Sequence, residues 1–257
     1  MKHYKGYLID LDGTVYFGKK RIPTAETFVR KLIASEVPLQ FVTNNATRTP
    51  EEVAAMLNQY YEIPVNPDMI YTSSQALIDY LKVNEKGKRV HVVGEKALKD
   101  QLERAGFQLD QTNQADFLVQ GLHKSATYES LGQAVQALLN GAKFYVTNTD
   151  QLIPTENGLY PSSGAITAFL SFASGLQPLV FGKPHAPIIE GAVKRLCLNK
   201  ADVLLIGDNY QTDIQAGIQA NLDTLLVLTG VTQAQEVKQL DPAPTYVVKD
   251  LSEWELG

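Results

Sequence analysis

Short apolar runs recur along the chain, and several are apolar on consecutive residues. Tyr7-Leu8-Ile9, Pro38-Leu39-Gln40-Phe41-Val42 and Met69-Ile70-Tyr71 come early. Pro178-Leu179-Val180-Phe181, Val203-Leu204-Leu205-Ile206, Thr224-Leu225-Leu226-Val227-Leu228 and Tyr246-Val247-Val248 come late. A strand that is apolar on consecutive residues is buried on both faces, as in a largely parallel sheet covered by helices. Helical patterns fill the gaps. Thr49-Pro50-Glu51-Glu52 is a helix start, and Pro187 to Leu196 carries apolar residues at helical spacing. Thr212 to Gly217 reads as a further helix start. This alternation predicts an α/β chain with a largely parallel, Rossmann-like core sheet.

The middle of the chain repeats the pattern on a smaller scale. Arg89–Gly94, Ala115–Val119 and Lys143–Val146 read as strands, with helices ending near Gly106 and spanning Tyr128 to Leu139. Ala165 to Ser174 reads as a helix stopped by Gly175. The polar stretch Asn84 to Lys88 is a hinge signal. The expected division is a discontinuous core, 1–84 plus 180–257, with an inserted smaller α/β domain at 85–179.

Composition removes several classes of function. With 23 basic and 28 acidic residues the net charge is −5, which offers no general field for nucleic acid or an anionic membrane. No apolar run approaches the ~18 residues of a membrane span, and the start is too short for a signal peptide, so a cytoplasmic chain is expected. A single cysteine, Cys197, excludes an internal disulfide framework and reads as a small buried hydrophobe.

The chemistry-bearing residues follow the apolar runs. Asp10-Leu11-Asp12-Gly13-Thr14 comes directly after the first. Open α/β sheets bind ligands at the C-terminal ends of their strands. Two carboxylates one residue apart repel unless a cation or a proton compensates, and Mg²⁺ suits oxygen ligands and phosphate together. Asp-Gly between apolar runs is also an ordinary turn signal. Thr43-Asn44-Asn45 ends the second run, as phosphate-holding groups or as polar turn residues. Gly182-Lys183-Pro184 follows the first run after the insertion. Its lysine is either a point charge for a phosphate or a surface side chain lying on apolar groups. Gly207-Asp208 ends the next run, and Asp213 stands at a helix start. Asp208 suits a metal ligand, and Asp213 suits either support of that ligand or a helix cap.

These motifs, in this order, resemble those of the haloacid dehalogenase superfamily. The resemblance extends over the whole chain, including a cap between the second and third motifs. Thr43-Asn44-Asn45, Gly182-Lys183-Pro184 and Tyr145-Val146-Thr147-Asn148 resemble the NagD or p-nitrophenyl-phosphatase branch. The resemblance implies a Mg²⁺-dependent phosphatase acting on a small phosphorylated metabolite. Asp10 would be the nucleophile and Asp12 the general acid and base. Asp10, the Asp12 main-chain carbonyl and Asp208 would hold the metal, supported by Asp213. Gly13, Thr43, Asn44 and Lys183 would hold phosphate.

Two positions depart from the usual pattern. Asn209-Tyr210 stands where Arg-Leu is common, and His123 replaces an aspartate in Gly121-Leu122-His123. Leu122 and His123 are therefore expected to bear on substrate choice, with a solvated surface histidine as the other reading. A phosphotransferase or mutase of the same fold uses the same residues, whereas a phosphate-sensing module without turnover would share the Mg²⁺, the aspartate and the lysine but would not need Asp12 or a cap. Oligomeric state is not legible.

Overall fold

The computed structural model describes residues 2–112 and 114–256. In chain order, β1 (Gly6–Ile9) leads into a short hairpin of β2 (Tyr16–Phe17) and β3 (Lys20–Arg21). Then come α1 (Pro23–Ala34), β4 (Leu39–Thr43), α2 (Pro50–Tyr61) and β5 (Ile70–Thr72). The middle of the chain forms α3 (Ser73–Asn84), β6 (Arg89–Val93), α4 (Lys96–Arg104), β7 (Gln108–Leu109), β8 (Phe117–Gln120), α5 (Tyr128–Leu139) and β9 (Lys143–Val146). It closes with the hairpin β10 (Leu152–Thr155) and β11 (Gly158–Pro161), α6 (Ser163–Ser174) and β12 (Leu179–Val180). The last part supplies α7 (Ala186–Leu196), β13 (Val203–Gly207), α8 (Gln215–Ala220), β14 (Asp223–Val227) and β15 (Tyr246–Val248).

The chain divides into two compact units. One holds residues 2–43, 50–71 and 183–256, and the other 44–49 and 72–182. In the first unit the sheet runs β15-β14-β13-β1-β4-β5. Strand β1 pairs in parallel with both β13 and β4, and β13 with β14, β14 with β15. The chain builds outward from β1 on one side and later returns to build on the other. That reversal opens a crevice at the C-terminal ends of β1 and β13. Tyr7, Ile9, Leu204, Ile206, Leu225 and Val227 face one way into a core with Phe28, Val29 and Leu32 of α1 and Val53 and Leu57 of α2. Leu8, Leu205 and Leu226 point the other way and are buried as well, which explains the unbroken apolar runs.

In the second unit the sheet runs β12-β9-β8-β6-β7, with every pairing parallel. Leu118, Phe144 and Val146 pack against Ala134, Ala137 and Leu138 of α5 and Leu170 of α6. Helix α5 begins at a reciprocal cap in which Thr127 and Ser130 each receive the other's backbone N–H. Helix α6 ends at Gly175, whose φ of 73° is left-handed.

The two units differ from the expected division in two places. Strand β12 pairs with β9 in the second sheet, so the run Pro178–Phe181 is not a strand of the core sheet. Helix α3 also falls in the second unit, where Tyr80 packs against Tyr145 and Phe181. Cys197 is exposed rather than buried, at a left-handed residue that ends α7. Among the described residues no helix is long and apolar enough to cross a membrane.

Candidate active site

Strand β1 ends by delivering Asp10 to the crevice, and β13 delivers Asp208 beside it. The wide turn Tyr210–Ile214 follows β13 and returns Asp213 to the same place. One carboxylate oxygen from each of Asp10, Asp208 and Asp213 lies within 4.8 Å of the other two. All three residues are buried. The Lys183 ammonium enters this cluster, 2.5 Å from Asp10 Oδ1 and 2.7 Å from Asp213 Oδ1. It also donates to the Val42 carbonyl at 3.0 Å. The ammonium thus donates to Asp10 and Val42 and forms an ion pair with Asp213. The lysine is therefore buried within the carboxylate cluster, not a surface side chain lying on apolar groups.

Glycines make this packing possible. A Cβ on Gly13 would stand 2.2 Å from Asp208 Oδ2, and Gly13 has a φ of +96° that other residues rarely adopt. A Cβ on Gly207 would meet the Asp213 Cβ at 2.2 Å. The Gly13 N–H donates to the Tyr16 carbonyl at 2.6 Å, so it is committed within its own turn.

The electrostatics follow from three buried carboxylates beside one lysine. Burial raises the Asp10 pKa well above the ordinary carboxylate range. Lys183 opposes that shift, while Asp213 and Asp208 add to it. Burial and then the Asp213 charge push Asp208 up to about 7, against the Val231 N–H and Lys183. Burial disfavours the Lys183 ammonium, but Asp10 and Asp213 outweigh it and raise its pKa. The cluster thus carries an excess of negative charge held out of water. A divalent cation with oxygen ligands fits that donor set.

Other expected residues stand apart. The Asp12 side chain is exposed and accepts the Gly18 N–H at 2.9 Å, so its carboxylate is outside the buried cluster. Thr43 is buried at the end of β4. Asn44 belongs to the second unit, where its amide donates to Asp150 Oδ1 at 3.0 Å. Its carbonyl accepts Ser73 Oγ and Asn148 Nδ2, each at 2.9 Å. Leu122 is buried and His123 half-buried, both after β8 in the second unit. Burial and then Lys99 hold the His123 pKa below its usual value, with Glu95 opposing them. His123 Nε2 lies 3.2 Å from Ser125 Oγ.

The structure adds two features to the expected site. The Thr14 hydroxyl, 1% exposed, sits 3.4 Å from Asp10 Oδ2 and 3.3 Å from Asp208 Oδ1, linking the two carboxylates. The loop Thr229-Gly230-Val231-Thr232 clamps Asp208. Val231 N donates to Asp208 Oδ2 at 2.7 Å, and Thr232 N to the Asp208 carbonyl at 3.1 Å. Thr229 Oγ1 donates to the Gly13 carbonyl at 2.6 Å. A Cβ on Gly230 would come within 1.9 Å of Asp208 Oδ2. The signal was available, because this loop ends the apolar run Thr224–Leu228 just as the other motifs end theirs.

A doubly wound parallel sheet with aspartates from β1 and β13 and a lysine at its carboxyl edge defines a hydrolase class. A family model described as haloacid dehalogenase-like hydrolase matches residues 7–108, and a second, described as HAD-hydrolase-like, matches residues 180–254. The chain is 43% identical over 254 residues to 5'-nucleotidase YutF of Bacillus subtilis, covering 99% of this chain and 98% of that one. A variant of the thermostable p-nitrophenylphosphatase from Bacillus stearothermophilus superposes with a TM-score of 0.90 at 44% identity, covering 100% of both chains. NagD from E. coli K-12 superposes with a TM-score of 0.92 at 31% identity, again over 100% of both. The chain belongs to the haloacid dehalogenase-like hydrolases, in their NagD-like phosphatase branch.

Proposed function

We propose that the protein is a Mg²⁺-dependent phosphatase that hydrolyses small phosphomonoesters through an aspartyl phosphate on Asp10. The observation that carries this reading is the buried set of Asp10, Asp208 and Asp213 around Lys183. Asp10 and Asp208 offer side-chain oxygens for Mg²⁺, with the Asp12 carbonyl as the main-chain ligand. Bound there, the ion supplies charge neutralisation for a phosphoryl group.

Each residue then has a role in phosphoryl transfer. Lys183 holds the Asp10 carboxylate oriented and opposes the rise that burial imposes on its pKa, which favours the ionised form that attacks phosphorus. Asp213 keeps Lys183 charged and in place. Thr43, at the end of the neighbouring strand, and Asn44 are the further phosphate-holding groups. Asp12 protonates the leaving oxygen and then activates water on the acyl phosphate. An exposed carboxylate outside the buried cluster can do both, because it exchanges protons with solvent. The relatives' names point to different phosphomonoesters, a nucleotide in one case and p-nitrophenyl phosphate in another. That supports a small-phosphomonoester class in which the second unit, including Leu122 and His123, selects among leaving groups.

The test is hydrolysis of p-nitrophenyl phosphate with Mg²⁺, with EDTA, and with Asp10→Asn. Turnover that needs both the ion and Asp10 is expected. Turnover that survives EDTA or Asp10→Asn overturns the reading.

A further inference from the structure

The exposed Asp12 carboxylate accepts the Gly18 N–H at 2.9 Å. An exposed carboxylate on a free rotor aims poorly at a leaving oxygen, so whatever fixes Gly18 bears on the chemistry. Gly18 opens the turn between β2 and β3. Its φ of +59° is the left-handed value that a two-residue hairpin turn demands. The strands are only two residues each, pairing Tyr16 with Arg21 and Phe17 with Lys20. A hairpin that short does not hold its own shape in water. The turn takes its position from the surface it lies on.

That surface is the C-terminal end of α2. Tyr61, 5% exposed, stacks its ring on Tyr16 with centroids 4.9 Å apart and planes at 17°. Its hydroxyl donates to the Gly18 carbonyl at 3.3 Å. Tyr61 is itself anchored, because Arg21 and Arg30 each donate to its carbonyl at 3.4 Å. Arg21 also grips the buried Glu26 carboxylate with two bonds, at 2.8 and 2.7 Å. A fork of that kind fixes orientation as well as distance. The contacts run from Glu26 through Arg21 to Tyr61, from Tyr61 to Gly18, and from Gly18 to the Asp12 carboxylate.

We propose that Tyr61 is a positioning residue for acid–base catalysis, aiming the Asp12 carboxylate through the Gly18 turn. The proposal rests on the role given above to Asp12. In that role Asp12 gives its proton to the leaving oxygen as the bond from that oxygen to phosphorus breaks and the Asp10–phosphorus bond forms. It then takes a proton from the water that attacks the acyl phosphate. Both transfers need the carboxylate within hydrogen-bond reach of the moving oxygen. Misplacement by about an ångström can cost about 10²-fold. Tyr61 acts here through Asp12 alone. A substrate whose leaving group departs without a proton is therefore nearly indifferent to it.

The test compares an alkyl phosphate with p-nitrophenyl phosphate, using the full chain with Mg²⁺. Tyr61→Phe keeps the ring on Tyr16 and removes only the hydroxyl. With its circular dichroism retained, its kcat is expected to fall by about 10-fold on the alkyl phosphate. On p-nitrophenyl phosphate the loss is expected to stay within about 2-fold. Tyr61→Leu also removes the stacked ring and is expected to widen the gap. Tyr4→Phe removes another buried hydroxyl of the same core, bonded to Asp223 at 2.8 Å, and is expected to leave the ratio of the two rates unchanged. In an Asp12→Asn background, Tyr61→Phe is expected to have no further effect on either substrate. A Tyr61→Phe variant that loses nothing, or loses equally on both substrates, overturns the proposal and leaves the Asp12 role standing. So does a full further loss in the Asp12→Asn background. An Asp12→Asn variant that loses equally on both substrates overturns that role, and the proposal with it.

Discussion

Lys183→Met strips the ammonium from the carboxylate cluster while keeping a side chain of similar length. Lys183 is 3% exposed and meets Asp10 Oδ1, Asp213 Oδ1 and the Val42 carbonyl. Its loss leaves two buried carboxylates without their partner. Removing one member of a buried ion pair typically costs about 3–5 kcal/mol. At roughly 2–4 °C per kcal/mol for a domain of this size, the melting midpoint falls by about 6–20 °C. The chain's single tryptophan, Trp254, sits in the apolar core of the first unit. Its fluorescence therefore reports the unit that contains Lys183. The experiment is a thermal melt at pH 8 in EDTA, repeated at pH 5. The ion pair stabilises above the carboxylate pKa values and is lost as pH falls through them. Burial has already moved Asp208 to about 7 and Asp10 upward, and both rise further without the lysine. At pH 5 protonation relieves the uncompensated charge, so the deficit shrinks. A midpoint equal to wild type at pH 8, or the same deficit at both pH values, refutes the reasoning.

The folded pKa of Asp208, about 7, is above its ordinary value of 3.8, so ionising it opposes folding of the metal-free protein as pH rises through 7. On the proposed Mg²⁺ site, the ion would bind the ionised form, so the rise in Tm on adding Mg²⁺ is expected to be larger at pH 8 than at pH 6. Equal increments would contradict this. Gly230→Ala forces a Cβ into Asp208 Oδ2, so the Mg²⁺ concentration for half-maximal activity should rise by about 10-fold or more. An unchanged activation curve would show that the Thr229–Thr232 loop does not set the Asp208 position. Asp12→Asn should cost about 10²-fold or more on an alkyl phosphate and distinctly less on p-nitrophenyl phosphate, whose leaving group needs less protonation. Equal losses on the two would remove Asp12 from the general-acid role.

What the sequence revealed of the site follows from one rule, that polar motifs at the ends of buried parallel strands converge. Asp10 and Asp208 obey it through β1 and β13, which are hydrogen-bonded neighbours. Asp213 is local to Asp208, and a turn before α8 is enough to return it. The same rule would have found Thr229–Thr232 after β14, but a stretch of threonine, glycine and valine carries no charge to draw notice. The link from Thr14 to both carboxylates and the outward direction of Asp12 depend on side-chain rotamers in a tight turn, which spacing does not encode. Strand order was less legible. The run Pro178–Phe181 is as apolar as the core strands, and only its long-range pairing to β9 assigns it to the other sheet. Helix α3 belongs with the second unit through Tyr80 against Tyr145 and Phe181, contacts that no periodicity shows.

The central claim is that Asp10 itself attacks phosphorus. It is tested most directly by adding borohydride during turnover of a phosphomonoester and sequencing the protein by mass spectrometry. An acyl phosphate is reduced to an alcohol, so Asp10 is expected to be converted to homoserine only when both substrate and Mg²⁺ are present. An enzyme that turns over with Asp10 unmodified, or with another carboxylate reduced in its place, would contradict the account.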